Sequence, residues 1–266
     1  MSGKVIFFDI DGTIWDYKNK IPDSTIEAFK KLRANGHKRV LCTGRTKATL
    51  SAKELETLEY DGLIAGCGTY IEWEGKELFN KLLTWETVRD FVPAMRKRNI
   101  GAFLEGVDKL FIDWDYYTGS PYAEKFREEL KEDCVSIDDA VPESRINKMS
   151  VEYIDIPNDE VVDFFGDEFN TIIHDFSDRS GIDYNVAEVI PKGHSKATGM
   201  KYICDMLGKE MKDTFAFGDS ANDVEMLKAA GCGIAMGDGT EPAKEAADYV
   251  TSDMEKDGIW NGLKRF

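Results

Sequence analysis

Histidine is almost absent from this chain: only His37, His174 and His194 occur, far apart in 266 residues. The five cysteines (Cys42, Cys67, Cys134, Cys204, Cys232) stand singly, with no C-x-x-C pair. A zinc centre or another nitrogen- and sulfur-ligated metal site has no ligand cluster to draw on, and the thiols read as free, in a reducing compartment. No apolar run approaches the ~20 residues that span a bilayer. The first twelve residues, MSGKVIFFDIDG, pass straight into a strand-like run without signal-peptide architecture, so the sequence predicts a cytoplasmic protein with no membrane partner. Positive charge is scarce: 34 Lys and Arg against 50 Asp and Glu give a formal net charge of -16. Such a surface repels nucleic acid, which excludes that class of partner. It repels phosphate as well, so any phosphate site needs cations placed locally. Internal repeats and low-complexity segments are also missing.

What is present is a core-forming composition, 42% apolar with 11% aromatic, in a length that fits one large domain or one domain carrying a smaller one. Val5–Phe8 is an unbroken apolar run, as in a strand covered on both faces. The pattern predicts a helix from Pro22 to Ala34, closed by Asn35–Gly36 and followed by a buried strand, Arg39–Cys42. A helix from Lys47 to Leu58 and a third strand, Leu63–Ala65, come next. This alternation implies parallel pairing with right-handed crossovers, hence an α/β, Rossmann-like parallel-sheet core. From about Thr84 the texture changes to an α+β insert. It has helices at Thr84–Asn99, at Tyr122–Lys131 and from Asn158, and strands at Ala102–Glu105, Leu110–Trp114, Lys148–Ile154 and Thr171–Phe176. The α/β pattern resumes with helix Ser195–Leu207, strand Thr214–Phe217, helix Ala221–Ala229, strand Gly233–Met236 and a helix from Glu241. The expected organisation is a discontinuous core, residues 1–83 plus 188–266, with an inserted cap at 84–187.

Ligands of open α/β sheets bind beyond the carboxyl ends of the strands, and three polar sets fall there. Asp9-Ile10-Asp11-Gly12-Thr13 follows the first strand and puts two carboxylates one residue apart, which resist joint ionisation without a cation between them. Taken alone, Asp-x-Asp-Gly also fits an ordinary turn or a calcium loop. Thr43-Gly44-Arg45 follows the second strand, and its hydroxyl and backbone N–H groups suit a phosphate oxygen. Arg45 fits either a substrate contact or an acidic neighbour. Gly218-Asp219-Ser220-Ala221-Asn222-Asp223 adds two carboxylates and an amide. Convergence would gather Asp9, Asp11, Asp219 and Asp223, an all-oxygen set that selects a hard divalent cation such as Mg²⁺. Lys196, at the head of a helix in Pro-Lys-Gly-His-Ser-Lys, supplies a positive side chain for a transferring phosphoryl group. The glycine-bracketed run Gly231–Gly237 has the wrong spacing for a dinucleotide loop. The aromatic run Phe111–Tyr117 suits either a substrate pocket or the cap's own core.

With these residues in place, the sequence resembles the haloacid dehalogenase superfamily, specifically the Cof-like phosphatases with a type II cap. The family's D-x-D-G-T matches Asp9–Thr13, its T-G-R matches Thr43–Arg45, its P-K-G-x-S-K matches Pro191–Lys196, and its G-D-x-x-N-D matches Gly218–Asp223. The order is the family's, with an insert where its cap belongs. One departure is Gly66-Cys67-Gly68-Thr69 where many relatives carry Asn-Gly. The resemblance implies an Mg²⁺-dependent phosphatase acting on a small phosphorylated metabolite. Asp9 would be the nucleophile and Asp11 the general acid and base. Thr43 would hold a phosphoryl oxygen, and Lys196 would neutralise charge on Asp9 and the transferring group. Asp9, the backbone carbonyl of Asp11 and Asp219 would ligate the metal, with Asn222 and Asp223 supporting metal and phosphate. The alternatives are a phosphomutase on the same scaffold and a phosphometabolite-binding regulator without turnover.

Overall fold

Four apolar residues in a row offer water no polar face, and Val5–Phe8 (β1) is accordingly fully buried in the middle of an eight-stranded sheet. The structure, a computed structural model, describes residues 3–16, 18–50, 55–117, 121–177 and 183–264. The chain divides into two units, one comprising residues 1–45, 51–79 and 194–266 and the other 46–50 and 80–193.

In the first unit β1 is followed by α1 (Asp23–Ala34), β2 (Lys38–Cys42), β3 (Gly62–Ala65), β4 (Tyr70–Trp73) and β5 (Lys76–Asn80). Beyond the insert, in chain order, lie the helix Lys196–Leu207, the strands Thr214–Gly218, Cys232–Ala235 and Tyr249–Val250, and the helices Val224–Ala229, Glu241–Ala246 and Gly258–Leu263. Across the sheet, Tyr249–Val250, Cys232–Ala235, Thr214–Gly218, β1, β2 and β3 run parallel. β4 then pairs antiparallel with β3, and β5 forms the edge. The α/β class and parallel core are as the sequence predicts. Alternate residues of β1 serve opposite faces. Val5 and Phe7 pack with Met200, Ile203, Met226 and Leu227 of the later helices. Phe8 stacks on Phe217 at 5.3 Å and meets Phe29 of α1 at 4.6 Å.

The predicted helix from Lys47 to Leu58 falls partly outside the described residues, and within it Leu55 is α-helical. Lys47–Thr49 and Glu56–Leu58 are single 3₁₀ turns, and residues 51–54 lie outside the described residues. The β4–β5 pair was not anticipated. Its signal is the two-residue link Glu74-Gly75, both with positive φ (48° and 76°), as a tight hairpin requires.

The second unit contributes α2 (Trp85–Arg96), β6 (Gly101–Gly106), β7 (Leu110–Ile112), α3 (Pro121–Leu130), β8 (Cys134–Ser136), β9 (Ile146–Tyr153), α4 (Asn158–Phe165), β10 (Phe169–Ser177) and β11 (Asp183–Pro191). The later elements named above then become α5 (Lys196–Leu207), β12 (Thr214–Gly218), α6 (Val224–Ala229), β13 (Cys232–Ala235), α7 (Glu241–Ala246), β14 (Tyr249–Val250) and α8 (Gly258–Leu263). Its six-stranded sheet has the order β10-β11-β9-β6-β7-β8, antiparallel except for β7–β8. One face is apolar: Leu104, Met149, Val151, Ala187 and Val189 pack against Val88 and Met95 of α2 and Val161 and Phe165 of α4. The other face carries a buried ion cluster, in which Lys148 Nζ lies 3.0 Å from Glu105 and 3.8 Å from Glu188. The expected boundary at 187/188 falls inside β11, which continues to Pro191.

The run Phe111–Tyr117 belongs mainly to this unit's interior. Phe111, Ile112 and Tyr117 are buried, and Asp113 accepts two hydrogen bonds from Arg96 (2.8 and 3.0 Å). The core alternative therefore holds for most of the segment.

Candidate active site

The adjacency of β12, β1 and β2 brings three loops to one end of the first unit's sheet, and every predicted site residue lies in that unit. Asp9 leaves β1 with its N–H donating to Phe217 O at 2.9 Å, so the nucleophile candidate is held by the neighbouring strand. The residue is 3% exposed.

Lys196 is the first residue of α5, a position where the helix dipole and burial both disfavour a cation. Two carboxylates compensate: its Nζ donates to Asp9 Oδ1 at 2.6 Å and to Asp223 Oδ1 at 2.7 Å. The helix start is fixed by a reciprocal cap between Ser195 and Thr198, a device worth ~1 kcal/mol. It is also fixed by the close approach of the loop after β3. A Cβ on Gly68 (φ +87°) would lie 2.2 Å from Ser195 O, so only glycine fits there.

Asp223 uses both oxygens. Oδ1 accepts from Lys196, while Oδ2 accepts from the N–H groups of Asp219 and Ser220, each at 3.0 Å. Asp219 is pinned from two sides. Thr13 Oγ1 donates to its Oδ1 at 3.0 Å, and the N–H and hydroxyl of Thr240 donate to its backbone oxygen at 2.7 and 3.1 Å. Gly12 (φ +80°) lets the first loop pass close to Asp219, because a Cβ there would sit 2.5 Å from Oδ2. Thr13, within the first motif, thus contributes a contact to the site through its hydroxyl.

Thr43 is buried, its Oγ1 accepting from the Arg45 N–H at 3.1 Å. Gly44 lies between them in the same turn. Asn222 accepts from Ser220 Oγ at 3.1 Å on the loop opposite.

Asp11 is placed differently from the other three carboxylates. Arg45 donates from Nε to Oδ2 at 2.8 Å and from Nη2 to Oδ1 at 2.7 Å, and Trp15 Nε1 donates to Oδ1 at 2.9 Å. Arg45 thus contacts an acidic neighbour here. Nothing in the periodicity of the sequence marks Trp15 for this part. The histidines have other partners: His37 Nδ1 accepts from the Lys4 N–H at 3.0 Å, His194 packs on Phe79, and His174 faces Glu188. All five cysteines are free. Cys42 lies beneath Lys196, its Sγ 3.9 Å from that residue's backbone oxygen.

Asp9, Asp219 and Asp223 each offer a carboxylate oxygen, all within 4.8 Å of one another. Three carboxylates against the Lys196 ammonium leave the fully ionised cluster with two surplus negative charges. Burial first, and then the charge of Asp223, pushes the Asp9 carboxyl well above the usual range, with Lys196 opposing. The same two causes raise Asp219 to about 7. Burial by itself would lower the Lys196 ammonium, but Asp223 and Asp9 outweigh it and hold that group raised. An all-oxygen donor set with surplus negative charge fits a hard divalent cation.

The chain matches the haloacid dehalogenase-like hydrolase family over residues 6–263. It is 28% identical to YcsE of Bacillus subtilis, a 5-amino-6-(5-phospho-D-ribitylamino)uracil phosphatase, over 99% of this chain and 95% of that protein. Among solved structures it is similar to BT1666 of Bacteroides thetaiotaomicron, a phosphatase of that superfamily, with a TM-score of 0.81 and 26% identity over 99% of this chain and 95% of the other. It is similar also to BT4131, a subclass IIB sugar phosphatase, with a TM-score of 0.79 and 26% identity over 99% and 98% of the two chains. The matched residues run through both units and include every strand-end loop described above, and the chain belongs to the haloacid dehalogenase-like hydrolases.

Proposed function

We propose that this phosphate-monoester hydrolase moves the phosphoryl group of a small metabolite ester first to Asp9 and then to water. The observation that carries the reading is the buried Asp9–Lys196–Asp223 chain at 2.6 and 2.7 Å. A nucleophilic carboxylate must be presented ionised to an anionic ester, and a buried ammonium in contact with it favours that form and offsets charge on the arriving group. Asp223 anchors the ammonium and, through its second oxygen, the backbone beneath Asp219.

Asp9 and Asp219, with the backbone carbonyl of Asp11, would hold Mg²⁺, which when bound supplies charge neutralisation on the phosphoryl oxygens. The buried Thr43 hydroxyl, the Gly44 turn and Asn222 would receive phosphoryl oxygens. Asp9 attacks phosphorus as the P–O bond to the alcohol breaks, and Asp11 gives its proton to the departing alkoxide. Asp11 then takes a proton from the water that attacks the phospho-aspartate, releasing phosphate and restoring both carboxyl groups.

The substrate class follows from the relatives, whose described substrates are a phosphorylated ribityl compound and sugar phosphates. The test is hydrolysis of p-nitrophenyl phosphate and of a sugar-phosphate panel with Mg²⁺. Turnover that persists in EDTA, or activity on none of the panel, contradicts the proposal.

A further inference from the structure

Asp11 is about half exposed, yet both of its oxygens are occupied by donors from two elements. An oxygen held in an arginine fork is aimed at that arginine and not at a leaving group, so this arrangement cannot be the one in which Asp11 transfers a proton. The two partners differ in freedom. Trp15 is completely buried, and its loop is closed by Gly12 N–H donating to Trp15 O at 3.0 Å. The Arg45 side chain is 29% exposed and lies over the Trp15 ring, 5.5 Å from its centroid. Its backbone is fixed, because Arg45 N–H donates to Thr43 Oγ1 and Arg45 O accepts from Gly66 N–H at 2.8 Å. Release of Asp11 therefore requires only the Arg45 side chain to move, with the loop in place.

A guanidinium fork matches a phosphoryl group as well as it matches a carboxylate. Arg45 stands two residues from Thr43, in the turn to which the proposed function assigns the phosphoryl oxygens. Both side chains are partly exposed, so solvent screens the pair and a phosphoryl group can compete for the fork. Resting on the reading of Asp11 as acid and base, we propose that Arg45 is a substrate-released latch. In the free enzyme it ties Asp11 down. The arriving phosphoryl group draws the fork onto itself, and the released Asp11 carboxylate takes up a proton from solvent to give to the departing alkoxide, with Trp15 still holding one oxygen in orientation. Arg45 is thus a positioning residue before binding and a substrate ligand after it.

The test compares wild type with Arg45→Ala and Arg45→Lys. Calorimetric titration with inorganic phosphate, Mg²⁺ present, reads the exchange without turnover. Affinity falls about tenfold in Arg45→Ala, the worth of one charge-assisted contact, and Arg45→Lys, which keeps charge but loses the fork, recovers part of it. With p-nitrophenyl phosphate and an alkyl phosphate, KM rises about tenfold on both esters in Arg45→Ala, and kcat changes by the same factor on both. Unchanged phosphate affinity overturns the latch. So does a kcat loss concentrated on the alkyl ester, which would mean that Arg45 stays on Asp11 throughout the reaction. A wild-type protein that binds phosphate but hydrolyses neither ester defeats the functional reading, and the titration alone then decides the latch.

Discussion

Removing divalent ions and raising the pH from about 5.5 to about 8 should destabilise this protein through its buried carboxyl groups, Asp219 among them. Asp219 sits at about 7 in the folded chain against 3.8 ordinarily, because it is buried beside Asp223. Between those values the folded state keeps a proton that the unfolded state has released. The stabilisation is fully present below about pH 4 and is lost as pH rises through about 7. Each pH unit within that window is worth about 1.4 kcal/mol, so the step from about 5.5 to 7 removes about 2 kcal/mol. Asp9, raised for the same reason, pushes in the same direction. His37, lowered mainly by burial, pushes the other way, so the comparison must be internal.

The assay is thermal unfolding in EDTA across this range, for wild type and Asp219→Asn, which keeps His37 and loses the titrating group. For a chain of this size about 2 kcal/mol corresponds to a fall in Tm of roughly 4–8 °C. The slope should be shallower in Asp219→Asn. Mg²⁺ added at about pH 8 should restore wild-type stability, since a cation replaces the missing protons. Equal slopes in the two proteins, or indifference to Mg²⁺, would refute the electrostatic account of the site.

Asp11→Asn should slow single-turnover phosphorylation far more for an alkyl ester than for p-nitrophenyl phosphate; equal slowing would remove the acid from Asp11. Calcium should not replace Mg²⁺, because its larger coordination shell lets both oxygens of Asp9 bind the metal and spoils the line of attack; full activity with Ca²⁺ would contradict this. In the second unit, Lys148→Ala leaves Glu105 and Glu188 buried without their ammonium and should cost about 3 kcal/mol by urea unfolding, whereas Lys201→Ala at an exposed i,i+4 pair should be silent.

The parallel core was legible in the sequence because each central strand is buried on both faces and shows as an apolar run ending in polar residues. Asp9, Asp219 and Asp223 could be named because the ends of adjacent parallel strands must open at one edge of the sheet, and Lys196 because its motif stands at the head of a helix. The hydrogen bonds among these residues were not legible. Whether Asp11 joins the acidic cluster or turns to Arg45 depends on side-chain rotamers and on Trp15, and strand periodicity does not encode either. The predicted helix over Lys47 to Leu58 has 3₁₀ turns at its two ends, Lys47–Thr49 and Glu56–Leu58, which apolar periodicity does not distinguish from α-helix. The missed strand β11 alternates Val186, Glu188 and Ile190 with Ala187 and Val189, but the expected domain boundary cut through it. Aromatic density in Phe111–Tyr117 suggested a pocket as readily as a core, because large side chains fill both.

The central claim, a phosphoryl group carried on Asp9, is tested most directly by intact-protein mass spectrometry after acid quench of Asp11→Asn with p-nitrophenyl phosphate and Mg²⁺. Without its base this variant should hydrolyse the intermediate slowly and accumulate it. The account predicts a gain of one phosphoryl mass, localised by peptide mapping to Asp9 and absent from Asp9→Asn. Product release with no mass gain at any time, or the same gain in Asp9→Asn, would contradict it.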